Sequence, residues 1–156
     1  MEILIVDDEE VIRDSLSRLL RQKGYICHIA SLAEEAIEMI DNIPKIGIVI
    51  SDIQMPGMTG IQLLKLIKKQ YASVSVLMLT GHADVESAID AVNYGAYAFF
   101  RKPIDINDML ATIEEIIHES ENMGRRMVPN EVWMEEYKKL HNAYEALSKE
   151  ISHLLK

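Results

Sequence analysis

The chain has 156 residues, enough for one domain of common size and an extension. Hydrophobic residues make up 49% of it and the mean hydropathy is close to zero, so it can bury a core and is not a disordered chain. The net charge of −9 argues against a nucleic-acid-binding surface as its main function. No apolar run approaches the roughly 20 residues needed to span a bilayer.

A single cysteine, Cys27, excludes an internal disulfide and is typical of a reducing compartment. It lies in the apolar stretch from Tyr25 to Ala30, which favours an inert buried thiol. No signal peptide is visible, because Met1 is followed almost at once by a predicted strand and then by acids. The sequence therefore predicts a cytoplasmic protein without a membrane segment.

The first predicted element is a strand over residues 2–6, an uninterrupted and β-branched apolar run that is typical of a strand covered on both faces. From Glu10 the apolar spacing becomes helical, and Gly24 ends this helix. A second strand is predicted over residues 25–30. Ser31 is a good N-cap residue for the helix that follows it.

The alternation continues after Pro44, which breaks the second helix. The remaining predicted elements are a strand over 46–51, a helix over 60–70, a strand over 75–80, a helix over 84–93, a strand over 96–101 and a helix over 106–121. Five strands thus alternate with five helices. Short right-handed crossovers then predict an α/β fold, a parallel sheet between two layers of helices, with function at the carboxyl ends of the strands.

Polar side chains follow four of the five predicted strands. Asp7 and Asp8 follow the first strand, Asp52 the third, Thr80 the fourth and Lys102 the fifth. Each has an ordinary explanation when taken alone, such as a helix N-terminal acid or a turn residue. Because parallel strands bring these positions to one edge of the sheet, their coincidence favours a functional site.

The converging acids predict a Mg²⁺ site. Mg²⁺ takes oxygen ligands and keeps several waters, so Asp8 and Asp52 can bind it directly while Asp7 acts through water. The backbone carbonyl of Gln54 completes the predicted set of ligands. Three crowded carboxylates repel one another, and a bound cation relieves that repulsion.

The same site predicts transfer of a phosphoryl group to Asp52, which acts as the nucleophile and forms an acyl phosphate. Lys102 would neutralise charge on one phosphoryl oxygen, and Thr80 would donate a hydrogen bond to another. Phosphoryl transfer requires mainly in-line positioning and charge stabilisation, which this catalytic set provides.

Four segments carry this pattern: ILIVDDE (3–9), DIQMPGMTG (52–60), LTG (79–81) and GAYAFFRKP (95–103). Together, and in this order, they resemble the receiver (CheY-like) domain of two-component response regulators. The resemblance covers about residues 1–120. It implies a flavodoxin-like (βα)5 fold with strand order 2-1-3-4-5.

The resemblance also implies that Asp52 is phosphorylated by a phosphohistidine on a sensor histidine kinase or phosphotransfer protein. It implies that Thr80 and Phe99 form a switch, in which the aromatic residue moves inward as the threonine closes on the phosphoryl group. The Lys102–Pro103 bond is expected to be cis. Such a protein is not an enzyme, beyond catalysing its own phosphorylation and dephosphorylation.

Two other functions fit the same residues less well. A Mg²⁺-dependent phosphatase with an aspartyl nucleophile would need a second acid two residues past it, where this chain has Gln54. A flavin or nucleotide binder would need a phosphate-binding loop after the first strand, where residues 7–9 are acidic. The signalling switch is preferred, with the phosphatase as the alternative.

The composition changes after the predicted receiver domain (1–120), with a linker predicted over 121–130 and a helix over 131–156. Seven apolar or aromatic residues of this helix recur at the spacing 4-3-4-3-4-3, an unbroken heptad seam typical of a coiled coil. They are Trp133, Tyr137, Leu140, Tyr144, Leu147, Ile151 and Leu154.

The seam predicts a parallel homodimer that transmits the receiver's state to a partner or to a downstream output domain. A monomeric helix folded back onto its own receiver is the alternative. The tail is neutral, which gives no support to nucleic-acid binding by this chain. Because the pattern is still running at Lys156, we expect the sequence to be a fragment of a longer protein.

Overall fold

Strands and helices alternate along the chain as the apolar spacing predicts. The computed structural model describes residues 1–81, 85–122 and 131–154, with the side chains of 85 and 131–137 excluded from that description. The elements are β1 (Glu2–Val6), α1 (Glu10–Gln22), β2 (Cys27–Ala30), α2 (Ala33–Asn42), β3 (Ile46–Asp52), α3 (Gly60–Gln70), β4 (Ser75–Thr80), α4 (Val85–Asn93), β5 (Ala98–Arg101), α5 (Ile106–Glu121) and α6 (Glu131–Leu154).

The five strands form one parallel sheet in the order β2-β1-β3-β4-β5, which confirms the predicted α/β fold and its strand order. The central strands are covered on both faces, as their continuous apolar runs predict: residues 3–6 of β1 and 76–79 of β4 are fully buried. The chain leaves β1 for β2 on one side and returns to β3 on the other. This reversal opens a crevice at the carboxyl ends of β1 and β3.

Three element starts differ from the prediction. The N-cap residue of α2 is Leu32 rather than Ser31, whose backbone N–H and hydroxyl both donate to the Glu35 carboxylate. β2 and β5 each begin two residues later than predicted, because the N–H groups of Tyr25 and Ala96 donate to carbonyls of the preceding helices. Helix C-termini have unpaired carbonyls, and these nearby N–H groups satisfy them.

The predicted C-terminal helix is confirmed as α6, which lies beside α4 of the same chain. Leu140 is half-buried and packs against the core of the sheet domain. The seam residues after it, Tyr144, Leu147, Ile151 and Leu154, are exposed. The coiled coil stays a prediction.

Three parts of the predicted C-terminal organisation fall largely outside the described residues. They are the linker over 121–130, of which 123–130 are not described, the side chains of the seam residues Trp133 and Tyr137, and the last two residues. The division at residue 120 stays a prediction; α5 continues to Glu121. Across the ranges that the structure describes, no helix combines the length and the apolar composition that crossing a bilayer requires.

Candidate functional site

The register of the sheet brings the predicted site residues to neighbouring strand ends. Val6 of β1 pairs with Ser51 of β3, so Asp7 and Asp52 follow side by side. Asp52 itself pairs with Leu79 of β4, and Thr80 comes next along that strand.

The fifth strand completes the row, because Thr80 pairs with Arg101 and the next residue is Lys102. The backbone N–H of Lys102 donates to the Thr80 carbonyl at 2.8 Å, which holds the start of the loop after β5 beside β4. The following peptide bond, Lys102–Pro103, is cis, as the resemblance implied. Parallel register therefore accounts for a convergence that the sequence could only suggest.

The Lys102 ammonium joins the two buried acids. Its Nζ lies 3.0 Å from Oδ2 of Asp52 and 3.1 Å from Oδ2 of Asp7, and 3.6 Å from Oε1 of Glu9. Asp7 is fully buried and Asp52 is 6% exposed. Charged hydrogen bonds of this kind are stronger than neutral ones, particularly away from water.

Backbone groups hold the other oxygen of each acid. The N–H of Glu9 donates to Oδ1 of Asp7 at 2.9 Å, and the N–H of Gln54 donates to Oδ1 of Asp52 at 3.2 Å. Each aspartate thus accepts from the residue two positions further on, while Lys102 occupies its second oxygen. The two carboxylates are held in fixed orientations toward a common point.

Burial and charge act in opposite directions in this cluster. Burial raises the pKa of the Asp7 carboxyl, and it outweighs the hydrogen bonds from the Glu9 N–H and from Lys102, which lower it. Burial works to lower the pKa of Lys102, but its hydrogen bonds to Asp52 and Asp7 prevail, so that pKa is raised. Lys102 is therefore held in its charged form between the two carboxylates that accept its hydrogen bonds.

The site has the donor set that Mg²⁺ prefers. Asp7, Asp8 and Asp52 each offer a carboxylate oxygen, and these oxygens lie within 4.8 Å of one another. Asp8 is exposed, so the cluster opens to solvent on one side. The residues present fit a hydrated divalent cation, because a further positive charge here would offset the repulsion among the three carboxylates.

The acids border a small pocket of about 140 Å³. Its lining includes Asp8, Glu9, Asp52, Ile53, Gln54, Thr80, Gly81 and Lys102. Gln54 is exposed here, and a ligand role for its carbonyl stays a prediction. Within the described residues Phe99 does not line the pocket; it is buried on β5 beside Met78 of β4.

Two contributors were missed by the reasoning from sequence. Glu9 approaches Lys102 and borders the pocket, yet in the sequence it reads as an ordinary acid at a helix N-terminus. Gly60 lies against the Asp52 backbone, where an added Cβ would come 1.9 Å from the Asp52 carbonyl oxygen. Its N–H donates to the Ile53 carbonyl at 2.9 Å, so only glycine fits this return of the chain.

Thr59 stabilises the same turn of the chain, between β3 and α3, by capping α3. Its hydroxyl accepts from the Gln62 N–H, and the Gln62 side chain accepts from the Thr59 N–H. This reciprocal pair satisfies two donors at the start of the helix. The sequence signal was present, since Thr59 and Gln62 have the spacing of a capping box.

Comparison with known proteins identifies the family of the chain. The family model described as the response regulator receiver domain matches residues 3–114. The chain is 36% identical over 115 residues to the DNA-binding transcriptional regulator NtrC of Proteus hauseri, covering 74% of this chain and 24% of that protein. It is 38% identical over 121 residues to the transcriptional regulatory protein FixJ of Bradyrhizobium diazoefficiens, covering 76% and 58%. The chain thus spans between about a quarter and three fifths of these curated relatives.

Solved structures agree with the fold. The receiver domain protein (CheY-like) of Methanospirillum hungatei JF-1 aligns with a TM-score of 0.74 at 36% identity, covering 79% of this chain and 98% of that one. The receiver domain of NtrX from Brucella abortus aligns with a TM-score of 0.71 at 34% identity, covering 75% and 98%. The family match ends within α5, before α6.

Proposed function

The chain belongs to the response regulator receiver domain family, and on that premise we propose that it is a phosphorylation-dependent switch of a two-component system. Asp52 is the acceptor, and the donor is a phosphohistidine on a sensor histidine kinase or phosphotransfer protein. The observation that carries the proposal is the Lys102 ammonium, held 3.0 Å from Asp52 and 3.1 Å from Asp7 at the edge of an open pocket.

The proposed step is an in-line displacement at phosphorus. An oxygen of Asp52 attacks, the P–N bond to the histidine breaks, and its electron pair returns to the imidazole. Lys102 offsets the negative charge on a phosphoryl oxygen, and the Thr80 hydroxyl donates to another. This role requires little covalent chemistry from the protein and depends on positioned charges.

Asp7, Asp8 and Asp52 would hold Mg²⁺, with the Gln54 carbonyl as the further ligand. When bound, the cation supplies charge neutralisation for the phosphoryl oxygens. The fit rests on three carboxylate oxygens within 4.8 Å of one another beside Lys102.

An apolar groove beside the pocket suits the partner that delivers the phosphoryl group. Val11 and Leu19 of α1 are 76% and 43% exposed, and Ile104 and Ile106 after β5 line the same groove. Exposed apolar side chains clustered beside an acidic pocket are typical of a protein-docking surface. We assign this groove to the histidine-bearing protein. One side of the groove is α1, which begins three residues after Asp7, and the other is the segment that follows Lys102.

The output belongs to the same proposal. Thr80 and Phe99 would relay the phosphorylated state toward α6, which would pair with α6 of a second chain and act on a partner or on an output domain. The protein would act in the cytoplasm and would catalyse only its own phosphorylation and dephosphorylation.

Incubation with Mg²⁺ and acetyl phosphate tests the acceptor. We expect the intact mass of the full chain to increase by one phosphoryl group, and that of the Asp52→Asn variant to stay unchanged. Asp41→Asn, which changes an exposed aspartate, is the control and should be labelled like the full chain. Steady turnover of phosphate esters would instead support the aspartyl phosphatase.

A further inference from the structure

The heptad seam of α6 is divided between two environments. Leu140 is half-buried against the core of the receiver, with α6 beside α4. Further along, Tyr144 is 40% exposed, Leu147 56%, Ile151 54% and Leu154 85%. From Leu140 onward, the part whose side chains the structure describes, the seam thus starts in an intramolecular contact and ends in solvent.

Helix lengths explain this division. α4 has 9 residues and α6 has 24, which correspond to roughly 14 Å and 36 Å at about 1.5 Å per residue. Since α6 is much the longer helix, α4 can cover only part of it. The exposed remainder carries four large apolar or aromatic residues on one stripe, an unusual surface for a helix that functions alone.

Heptad positions identify a second copy of this chain as the partner for that stripe. The spacing assigns Tyr144 and Ile151 to position a, and Leu140, Leu147 and Leu154 to position d. Ile151 is β-branched, and a β-branched residue at a with leucine at d favours two parallel strands.

The flanking positions allow the same pairing. Among the described heptad positions, Ala143 at g faces Ser148 at e of the other copy in a parallel pair, and neither residue is charged. This pair brings no like charges together, so a second copy can cover the described stripe without repulsion there.

The two contacts of α6 compete for Leu140. As a d residue it would enter the centre of the paired helices, yet here it packs against its own receiver. We infer that α6 has two mutually exclusive positions: docked on α4 of its own chain, with the seam interrupted at Leu140, or released and paired along the whole seam with a second copy.

The phosphorylation site lies where it can shift the balance between the two positions of α6. This step of the inference rests on the proposed function. α4 is the first helix after β4, whose last residue is Thr80 of the pocket. β4 also pairs with β5, which carries Phe99. Movement of Thr80 toward a phosphoryl group therefore acts on the strand that leads into α4, and phosphorylation would release α6.

Beryllofluoride with Mg²⁺, a stable mimic of the phosphorylated aspartate, tests this on the full chain. Light scattering over a concentration series measures the dimer dissociation constant, and hydrogen exchange measures the protection of α4 and α6. We expect loading to lower the dissociation constant by about tenfold or more, the usual scale of such coupling, and to reduce protection of α4.

A matched pair of variants tests the role of Leu140, the residue for which the two contacts of α6 compete. Leu147→Ala should weaken the loaded dimer and leave the unloaded protein unchanged. Leu140→Ala should also weaken the loaded dimer, but in addition should lower protection of α4 before loading. Lys149→Ala, on the exposed face of α6 away from the seam, should change neither.

Three results would overturn the inference: a loaded protein that stays monomeric, an unloaded protein that is already fully dimeric, or identical effects of the two leucine variants. Fluorine NMR of bound beryllofluoride reports loading independently. If Asp52→Asn and the parent chain both fail to bind the probe, the proposed function itself is refuted, and this inference with it.

Discussion

The Nζ of Lys102, just past β5, donates a hydrogen bond of 3.0 Å to Oδ2 of Asp52 at the end of β3. Fifty residues of sequence separate the two, and the sheet places β4 between their strands. The pair links the acceptor to a half-buried cation. It also indicates which group should carry most of the charge stabilisation during transfer.

Lys102→Met should therefore slow labelling by acetyl phosphate by about a hundredfold, the scale seen when one charge-stabilising group is removed from a reaction centre. Lys69→Met, at an exposed position on α3, serves as the control and should label at the parent rate. Rates follow from intact mass against time. Equal rates for the two variants would contradict the role of Lys102.

Mg²⁺ should stabilise the folded chain through the acidic cluster. At a hundred times its dissociation constant, a ligand of the native state adds about 2.7 kcal/mol to the free energy of unfolding. Asp8→Asn should lose most of this gain, whereas Glu10→Gln, an exposed acid just beyond the cluster, should retain it. Thermal unfolding with and without Mg²⁺ measures the difference, and full retention in Asp8→Asn would refute the site.

Glu115 of α5 should produce a pH-dependent loss of stability. Burial raises the pKa of its carboxyl, and the neighbouring Glu119 raises it further. A raised pKa means that the folded state holds the proton more tightly, so stability falls as pH rises from the ordinary carboxyl pKa of 4.5 through the folded-state pKa.

Glu115→Gln should remove that fall, leaving stability unchanged at acid pH and increased near neutrality. Urea unfolding across the acid range measures it, with the exposed Glu121→Gln as control. A parent chain whose stability rises through this window while Glu115→Gln stays flat would show that the sign is wrong.

Gly60→Ala should destabilise the fold and displace the acceptor. The added Cβ would meet backbone atoms of Asp52 and Ile53, which cannot move aside cheaply, and overpacking of this kind costs about 1–3 kcal/mol. Gly81→Ala is the matched control, since among the described residues its Cβ would come no nearer than 3.9 Å, to Cδ of Lys102. Equal free energies of unfolding in the two variants would disprove the constraint.

Val11→Asp should impair delivery of the phosphoryl group and spare the chemistry. Transfer from a purified phosphorylated histidine kinase should slow by about tenfold or more, since a charge placed in an apolar docking groove costs binding energy. Labelling by acetyl phosphate should stay at the parent rate. Ile26→Asp changes an equally apolar, 59% exposed residue outside the groove and should affect neither reaction.

The sequence determined the alternation of strands and helices and the group of residues at the strand ends. Continuous apolar runs predict buried parallel strands, and once the strands are parallel, Asp7, Asp52, Thr80 and Lys102 must meet at one edge. These properties are readable because each depends on local spacing. The strand order came from the resemblance of the motifs rather than from spacing.

Only the tertiary structure decided which atoms touch. The approach of Gly60 to the Asp52 carbonyl, the position of Glu9 beside Lys102 and the burial that shifts the Asp7 pKa all depend on chain segments distant in sequence.

The seam of α6 shows the same limit most clearly. Burial of an apolar stripe at heptad spacing lowers the free energy equally well against a second helix or against the chain's own receiver. The sequence of the stripe alone is therefore compatible with either packing arrangement. The contact of Leu140 with the receiver core selects one of them for part of the seam, because packing depends on which surfaces the rest of the fold leaves within reach.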